Sequence, residues 1–232
     1  MQMTTTRSLP GFESPAAGFD EPFEMLDACH DRLRRSLELL ERLQRYLLTH
    51  AVDEQARQAA LDALRYFTVA APLHHEDEER HVVPLLRQSG QRVWEDASTR
   101  LMQDHEQIRL EWRSLEPLLR EVVRGETPDP HRLAGTVRRF ARMNESHLVF
   151  EGDVVFPQAR KLKEIEGPQA MAAMGQEMAQ RRQAGRGHHP SQSRVFHHRA
   201  APGEPVGSGT GSTSEFASEP HSIQSSPNSS DG

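Results

Sequence analysis

A histidine followed four residues later by a glutamate occurs at two distant places in the chain, and this spacing constrains the fold more than any other feature. His75 precedes Glu79 within the run HHEDEE, which begins at His74, and His147 precedes Glu151 within the run HLVFE. Residues four apart lie on the same face of an α-helix. The spacing therefore predicts that each pair of side chains points at one place.

The two places are similar beyond the His–Glu pair. Each is followed by two consecutive valines and then by a proline, namely Val82, Val83 and Pro84 in the first copy and Val154, Val155 and Pro157 in the second. When the copies are aligned on His75–Glu79 and His147–Glu151, the second carries one inserted residue. This similarity indicates a degenerate internal repeat, with two helix pairs related by a rough two-fold axis.

Helical periodicity predicts four long helices, over about residues 20–49, 53–88, 91–124 and 129–165. The first contains apolar residues at helical spacing, namely Leu26, Leu33, Leu37, Leu40 and Leu47. Pro72 and Pro84 lie inside the second, where each removes a backbone hydrogen bond and favours a kink. Short connections favour an all-α, antiparallel up-down-up-down four-helix bundle over residues 20–166.

Six polar residues occupy positions that this periodicity assigns to the buried helix faces: His30, His75, Glu79, His105, His147 and Glu151. A charged carboxylate in an apolar core costs several kcal/mol unless it is paired or binds a metal. Imidazole nitrogens and carboxylate oxygens together suit iron, zinc or manganese. The six residues are therefore predicted to meet in one layer and to hold metal, because cations would neutralise the carboxylates.

The polar residues next to these six are expected to have other roles. His74 and His81 lie off the predicted core face, and Glu78 is expected to be a solvated charge. Glu76 stays open as an additional or alternative ligand.

The two ends of the chain differ in composition from its centre. Residues 1–19 lack periodicity and are expected to form a flexible N-terminal arm, whereas residues 167–183 are expected to form a short helix. Residues 184–232 are rich in Ser, Gly, Pro and His. Such a segment cannot bury enough apolar surface to offset its ordering entropy, so we expect a disordered tail.

Charge and cysteine content exclude several classes of protein. The net charge is -6 and the pI about 6.1, which does not favour nucleic-acid binding. The one cysteine excludes an internal disulfide and a metal site built from several thiolates. Because no secretory signal and no apolar stretch of about 20 residues is found, we expect a soluble, cytoplasmic protein.

The order and type of the six residues resemble hemerythrin-like domains, also called HHE cation-binding domains, over about residues 20–165. The resemblance rests on His30, on the pair His75–Glu79 followed by Pro84, on His105, and on the pair His147–Glu151 followed by Pro157. It implies a four-helix bundle that holds two non-haem iron ions. In this resemblance Glu79 and Glu151 bridge the two irons, together with an oxo or hydroxo group.

The chain departs from the oxygen-carrying hemerythrins at two positions. These proteins usually have a second histidine where this chain has Arg109, and their last ligand pair usually ends in Asp where this chain has Glu151. The resulting four-His, two-Glu set looks more like the di-iron proteins of the iron–sulfur cluster repair class, although this chain lacks their N-terminal cysteine-bearing segment. Fewer protein ligands would favour reaction with small molecules over reversible oxygen carriage.

The resemblance leaves three functions open. The di-iron site would bind, react with or sense O2, nitric oxide, peroxide or iron. Alternatively, the protein would be an enzyme that removes peroxide or nitric oxide, or metal would merely stabilise an interaction module whose partner is unknown. The expected ligand is a diatomic molecule or peroxide, with neither nucleic acid nor membrane as a partner, and zinc or manganese would accept the same ligands.

Overall fold

The computed structural model describes residues 21–187, so the predicted arm over residues 1–19 and nearly all of the predicted tail over residues 184–232 lie outside it. Within residues 21–187 the chain is helical and has no strand, which confirms the all-α class. The α-helices of this part are α1 (Pro22–Tyr46), α2 (Glu54–Arg65), α3 (Ala71–Asp77), α4 (Val83–Gln88), α5 (Arg92–Val123), α6 (Pro130–Phe150), α7 (Phe156–Glu166) and α8 (Pro168–Gly187).

Several of these helices are joined end to end by five-residue π turns, which are Tyr66–Ala70, Glu78–Val82 and Glu151–Val155. The first two turns connect α2, α3 and α4, and the third connects α6 and α7. We therefore describe four rods: rod 1 is α1, rod 2 is α2 to α4, rod 3 is α5, and rod 4 is α6 with α7.

Each of these π turns ends two residues before a proline: Pro72, Pro84 and Pro157. The residue before each proline donates its N–H to the carbonyl five residues back, as Val83 does to Glu78. Proline has no N–H, and in an α-helix its ring would clash with the carbonyl four residues back. The wider turn makes room for the ring, so the rods continue where the sequence favoured a kink.

The rod ends carry capping residues. The carboxylates of Asp53 and Asp129 accept hydrogen bonds from backbone N–H groups three residues later, at 2.8 and 2.6 Å, and so begin α2 and α6. Glycines with positive φ follow α4, α5 and α7, at Gly90, Gly125 and Gly167. These caps explain why the connections between the rods are short.

The rods contact one another in a closed order, since α1 packs on α2 and α6, and α5 packs on the same two helices. Their buried apolar residues form two separate cores. The larger core includes Leu40, Leu115 and Phe140, and the smaller one includes Phe23 and Phe156. Every rod contributes to both cores, and the candidate site lies between them.

Helix α8 packs against α1, α3 and α7. Its buried residues include Met174, Gly175, Met178 and Ala179, of which the two methionines belong to the smaller core. This helix extends beyond the short helix expected over residues 167–183. Between residues 21 and 187 no helix combines the length and the apolar character that crossing a membrane requires.

Candidate metal centre

A buried polar layer separates the two apolar cores. It consists of five histidines and two glutamates, each at most 5% exposed: His30, His74, His75, His105, His147, Glu78 and Glu151. Along every rod these residues stand between members of the two cores, as His30 does between Leu26 and Leu33. The layer is therefore closed on both sides by apolar packing.

One part of the layer is the three-histidine group, His75, His105 and His147. Ligand atoms from these histidines and from Glu78 all lie within 4.8 Å of one another. Glu78 Oε2 is 3.3 Å from His105 Nε2. Glu151 Oε1 is 3.1 Å from His147 Nε2 and 3.8 Å from His105 Nε2. One carboxylate oxygen from each glutamate thus faces this group.

The other part is the two-histidine group, His30 and His74. Their ligand atoms and those of Glu78 and Glu151 again lie within 4.8 Å of one another. Glu78 Oε1 is 3.2 Å from His74 Nε2 and 3.9 Å from His30 Nε2. Glu151 Oε2 is 3.1 Å from His30 Nε2. Each glutamate therefore presents one oxygen to each group.

The residues of the layer fit metal ions because their ligand atoms have no other hydrogen-bond partner. In the described part of the chain this holds for Nε2 of all five histidines and for both side-chain oxygens of Glu78 and Glu151. Leaving a buried polar group unpaired costs about 1–3 kcal/mol, and more for a charged group. Cations between the two groups would neutralise the carboxylates and pair these atoms. The layer could therefore hold metal.

Glu79 is not part of this layer, and this corrects the interpretation of the sequence. Its side chain is 27% exposed, and its Oε1 accepts hydrogen bonds from His105 Nδ1 at 2.9 Å and from Arg109 Nη1 at 3.1 Å. Glu78 takes the place predicted for Glu79, and it is buried rather than solvated. His74, which was expected off the core face, faces the layer beside it.

The geometry of rod 2 explains the difference. At about 100° per residue, Glu78 lies about 20° from the direction of the buried Ala71, whereas Glu79 lies about 80° from it. His74 and His75 lie about 60° to one side and about 40° to the other. Glu78 thus stands between the two histidines and faces both groups. Glu76 lies outside both groups and pairs with Arg80 at 2.6 Å.

The sequence contained a signal for Glu78 in the internal repeat. Pro84 follows Glu78 by six residues, and Pro157 follows Glu151 by the same number. With these glutamates matched, the two copies align without an insertion, and in both a π turn begins at the glutamate. His75 has no equivalent in the second copy, where Leu148 stands at its position.

Of the predicted residues, the structure brings together His30, His75, His105, His147 and Glu151, and it adds His74 and Glu78. The layer therefore holds five histidines, which differs from the four expected. His75 supplies a third imidazole to its group although Arg109 stands where a relative would have a histidine. Because the layer has as many imidazoles as it would with a histidine at position 109 and none at position 75, the expected loss of a ligand is not observed.

Burial and carboxylates act in opposite directions on the histidines of the layer. Burial lowers the pKa of His105, but the nearby carboxylates of Glu151, Glu78 and Glu79 outweigh it and raise the pKa to about 11. The same balance raises the pKa of His30 to about 9. For His75, burial and the neighbouring His105 hold the pKa well below its usual range. Metal binding requires neutral imidazoles, so His75 is already in the required state.

These features define a class of helical protein, in which histidines and carboxylates from packed rods form a buried site that could hold metal ions. Residues 21–159 match the hemerythrin HHE cation-binding domain, and the chain belongs to that family, whose members bind metal cations. The chain is also 30% identical over 167 residues to a protein of Haemophilus influenzae that is described only as uncharacterized. That match covers 72% of this chain and 93% of the relative.

Proposed function

We propose that the chain is a non-haem di-iron protein that binds or reacts with O2, nitric oxide or peroxide. The observation that carries the proposal is the sharing of Glu78 and Glu151 between two histidine groups, since each glutamate directs one oxygen to each group. Histidine–carboxylate sets in helical bundles are typical of di-iron proteins. Two irons held there would supply a redox-active site for a small oxidant or a diatomic ligand.

The roles of the protein residues follow from their positions. His75, His105 and His147 would hold one ion, and His30 and His74 would hold the other. Glu78 and Glu151 would be shared by the two ions, and the apolar cores on both sides of the layer would limit the access of water. The proposed bridge differs from the one that the resemblance implied, because Glu78 replaces Glu79.

We also infer that the four rods form an antiparallel up-down-up-down bundle. Rod 1 passes from the smaller core at Leu26 to the larger core at Leu40, and rod 2 passes from the larger core at Phe67 to the smaller core at Leu86. Rods 3 and 4 repeat this alternation. The alternation supports opposite directions for successive rods, which is the arrangement that short connections favour.

Metal analysis of the purified protein, together with its optical spectrum, tests the proposal. We expect about two irons per chain, as in di-iron bundles, and absorption bands of a bridged di-iron site. Glu78→Ala should lose most of the metal, whereas Glu76→Ala should keep it, because Glu78 lies between the two groups and Glu76 lies outside them. Equal metal contents in the two variants, or zinc or manganese in place of iron, would contradict the proposal.

The reaction of the reduced protein separates a binder from an enzyme. Multiple turnovers of peroxide or nitric oxide in stopped-flow experiments would identify an enzyme. A single stoichiometric oxidation would identify a sensor, and stable reversible uptake of O2 would identify a carrier. If His75→Ala lost metal without any cellular effect while removal of residues 184–232 had one, the protein would be a metal-stabilised interaction module.

A further inference from the structure

A cavity of about 200 Å³ opens to the surface beside the three-histidine group. Its inner wall contains the buried residues Phe67, Ile108 and Phe140, and His75 also lines it. Its outer part is lined by partly exposed residues, including Trp112. The cavity therefore leads from solvent to His75, the histidine of the layer that has no equivalent in the second copy of the repeat.

Three aromatic rings give this cavity a firm apolar wall. The ring centroids of Phe67 and Phe140 are 4.9 Å apart, those of Phe67 and Trp112 are 5.2 Å apart, and those of Trp112 and Phe140 are 5.7 Å apart. Each ring thus contacts the other two at distances typical of favourable aromatic pairs. Such a wall presents ring faces and edges to an occupant, which favours an aromatic molecule.

The charged groups around the opening are already paired with one another. Arg109 is 3.1 Å from Glu79 and 3.0 Å from Glu106, and Glu76 is 2.6 Å from Arg80. A charged ligand would lose its hydration on entry and would have to compete with these pairs for a partner. The lining therefore favours an uncharged molecule.

The volume sets the size of the occupant. An engineered cavity of about 150 Å³ lined by apolar side chains binds benzene, so about 200 Å³ holds a single substituted aromatic ring. A diatomic ligand or peroxide needs far less space. We propose that this cavity is a binding site for a small uncharged aromatic molecule of about the size of phenol, held beside His75.

This site goes beyond the proposed reaction with diatomic ligands and does not depend on which metal is bound. It would place an organic molecule next to the metal centre, where it would control access from this side or be available as a second reactant. The side of the two-histidine group differs, because there the ring of Phe156 stacks on His30 at a centroid distance of 4.9 Å.

Tryptophan fluorescence tests the proposal directly, because Trp112 lines the cavity and Trp94 does not. In the full-length Trp94→Phe variant, as purified, phenol should change the emission with saturation and a dissociation constant on the order of 0.1–1 mM, as expected for so few atoms. Benzoate, which is similar in size but charged, should bind at least about tenfold more weakly. Absence of saturable binding of phenol, or equal binding of benzoate, would overturn the proposal.

A matched pair of substitutions locates the site. Ala71→Leu adds bulk to the wall of this cavity, whereas Ala59→Leu adds the same bulk on the same rod in a different groove, which Leu43 and Tyr46 also line. We expect at least about a tenfold loss of phenol affinity in the first variant and none in the second. Equal affinity in both would contradict this location.

Two further measurements keep the result interpretable. Circular dichroism shows whether Ala71→Leu folds, and if it does not, the comparison of phenol with benzoate in the parent protein decides alone. Metal content is measured on the same samples. A protein that holds iron but does not bind phenol disproves this site and leaves the di-iron proposal standing. A protein that binds phenol but holds no iron supports this site and contradicts the di-iron proposal.

Discussion

His105 is held in place by a carboxylate outside the buried polar layer. Its Nδ1 lies 2.9 Å from Glu79 Oε1, so its Nε2 is left to face Glu78 at 3.3 Å. Arg109 donates to the same oxygen of Glu79, and the hydrogen bonds from His105 and Arg109 lower the pKa of Glu79. Such a partner fixes the tautomer and the orientation of a metal-binding histidine. Glu79 is therefore a positioning residue.

Replacing Glu79 should weaken the metal centre without removing it. We expect Glu79→Ala to lower metal affinity about 10–100-fold with unchanged stoichiometry, because loss of such a partner typically has this effect. Glu79→Gln should recover part of the affinity, since its amide oxygen still accepts from His105. Competition with a chelator of known affinity measures the change. Glu106→Ala is the control, and complete metal loss in Glu79→Ala would instead make Glu79 a direct ligand.

His74 should be as important for metal binding as the histidines found from the sequence. It contributes Nε2 to the two-histidine group, 3.2 Å from Glu78 Oε1. We expect His74→Ala to lose about one of two metal ions, because only His30 would remain in that group. His50→Ala, on the surface, should keep the full content. Unchanged metal in His74→Ala, measured by elemental analysis, would show that His74 is no ligand.

At the scale of the helices, the π turns let prolines sit inside two rods without ending them. A π turn contains about one residue more than an α turn. Removing one residue should therefore restore a regular helix while keeping Glu151 and the buried Val155 on one face. The accompanying proline must also be replaced, because its ring would clash in a regular helix.

A paired deletion tests this account. Deletion of Gly152 combined with Pro157→Ala should leave the protein folded and able to bind metal. Deletion of Arg142, within the regular α6, should abolish metal binding, because it rotates His147 and Glu151 by about 100° against the preceding turns. Circular dichroism and metal content measure both. Equal metal loss in the two variants would show that the extra residue is required in itself.

Helix α8 is fixed beside the centre by polar contacts as well as by its methionines. Asp77 is buried next to Glu78 and pairs with Arg181 at 2.8 Å and with Arg182 at 2.7 Å. Arg181 also contacts His81. Burial, followed by the charge of Arg181, lowers the pKa of His81 to about 4, and Glu177 opposes this only in part. His81 is therefore neutral in the folded protein when the pH is well above about 4.

The pH dependence of stability should report this contact. A histidine whose pKa is lowered on folding contributes full stability above its ordinary pKa of 6.5, and the contribution is lost as pH falls toward about 4. Between pH 7 and pH 5 we expect a loss on the order of 1 kcal/mol after allowing for screening by solvent. His81→Gln should lack this part of the loss in urea unfolding. Identical pH dependence in parent and variant would contradict it.

For the molecule as a whole, the buried polar layer between the two apolar cores should lower the stability of the folded state unless cations occupy it. Metal that binds only the folded state stabilises it by mass action, by about 4 kcal/mol at a thousandfold excess over the dissociation constant. We therefore expect chelation to lower the melting temperature on the order of 10 °C, and readdition of metal to restore it. Glu78→Ala should not respond to the chelator. A melting temperature that ignores chelation would mean that the layer is stable without metal.

The rough two-fold symmetry of the sequence persists in the centre, with one exception. His30 and His74 with Glu78 on rods 1 and 2 correspond to His105 and His147 with Glu151 on rods 3 and 4. His75 stands alone, and the cavity opens on its side. The three-histidine group and the two-histidine group therefore have different surroundings.

Local periodicity in the sequence was enough to predict the helical class, the approximate helix ends and the buried positions of His30, His75, His105, His147 and Glu151, and the order and type of these residues gave the resemblance to the family. These features depend on spacing along one helix or on short capping motifs, which each segment carries by itself. The equal spacing from Glu78 to Pro84 and from Glu151 to Pro157 was also present in the sequence, but the alignment on His75–Glu79 missed it.

Only the tertiary structure decided between the adjacent pairs His74–Glu78 and His75–Glu79, because both have the same spacing on one helix. The choice depends on how rod 2 is rotated against the other rods, and that rotation is set by packing of residues far apart in the chain. The cavity beside His75 has the same origin, since its aromatic wall comes from rods 2, 3 and 4. Sequence periodicity specifies the faces of single helices, whereas the space between helices exists only once they are packed together.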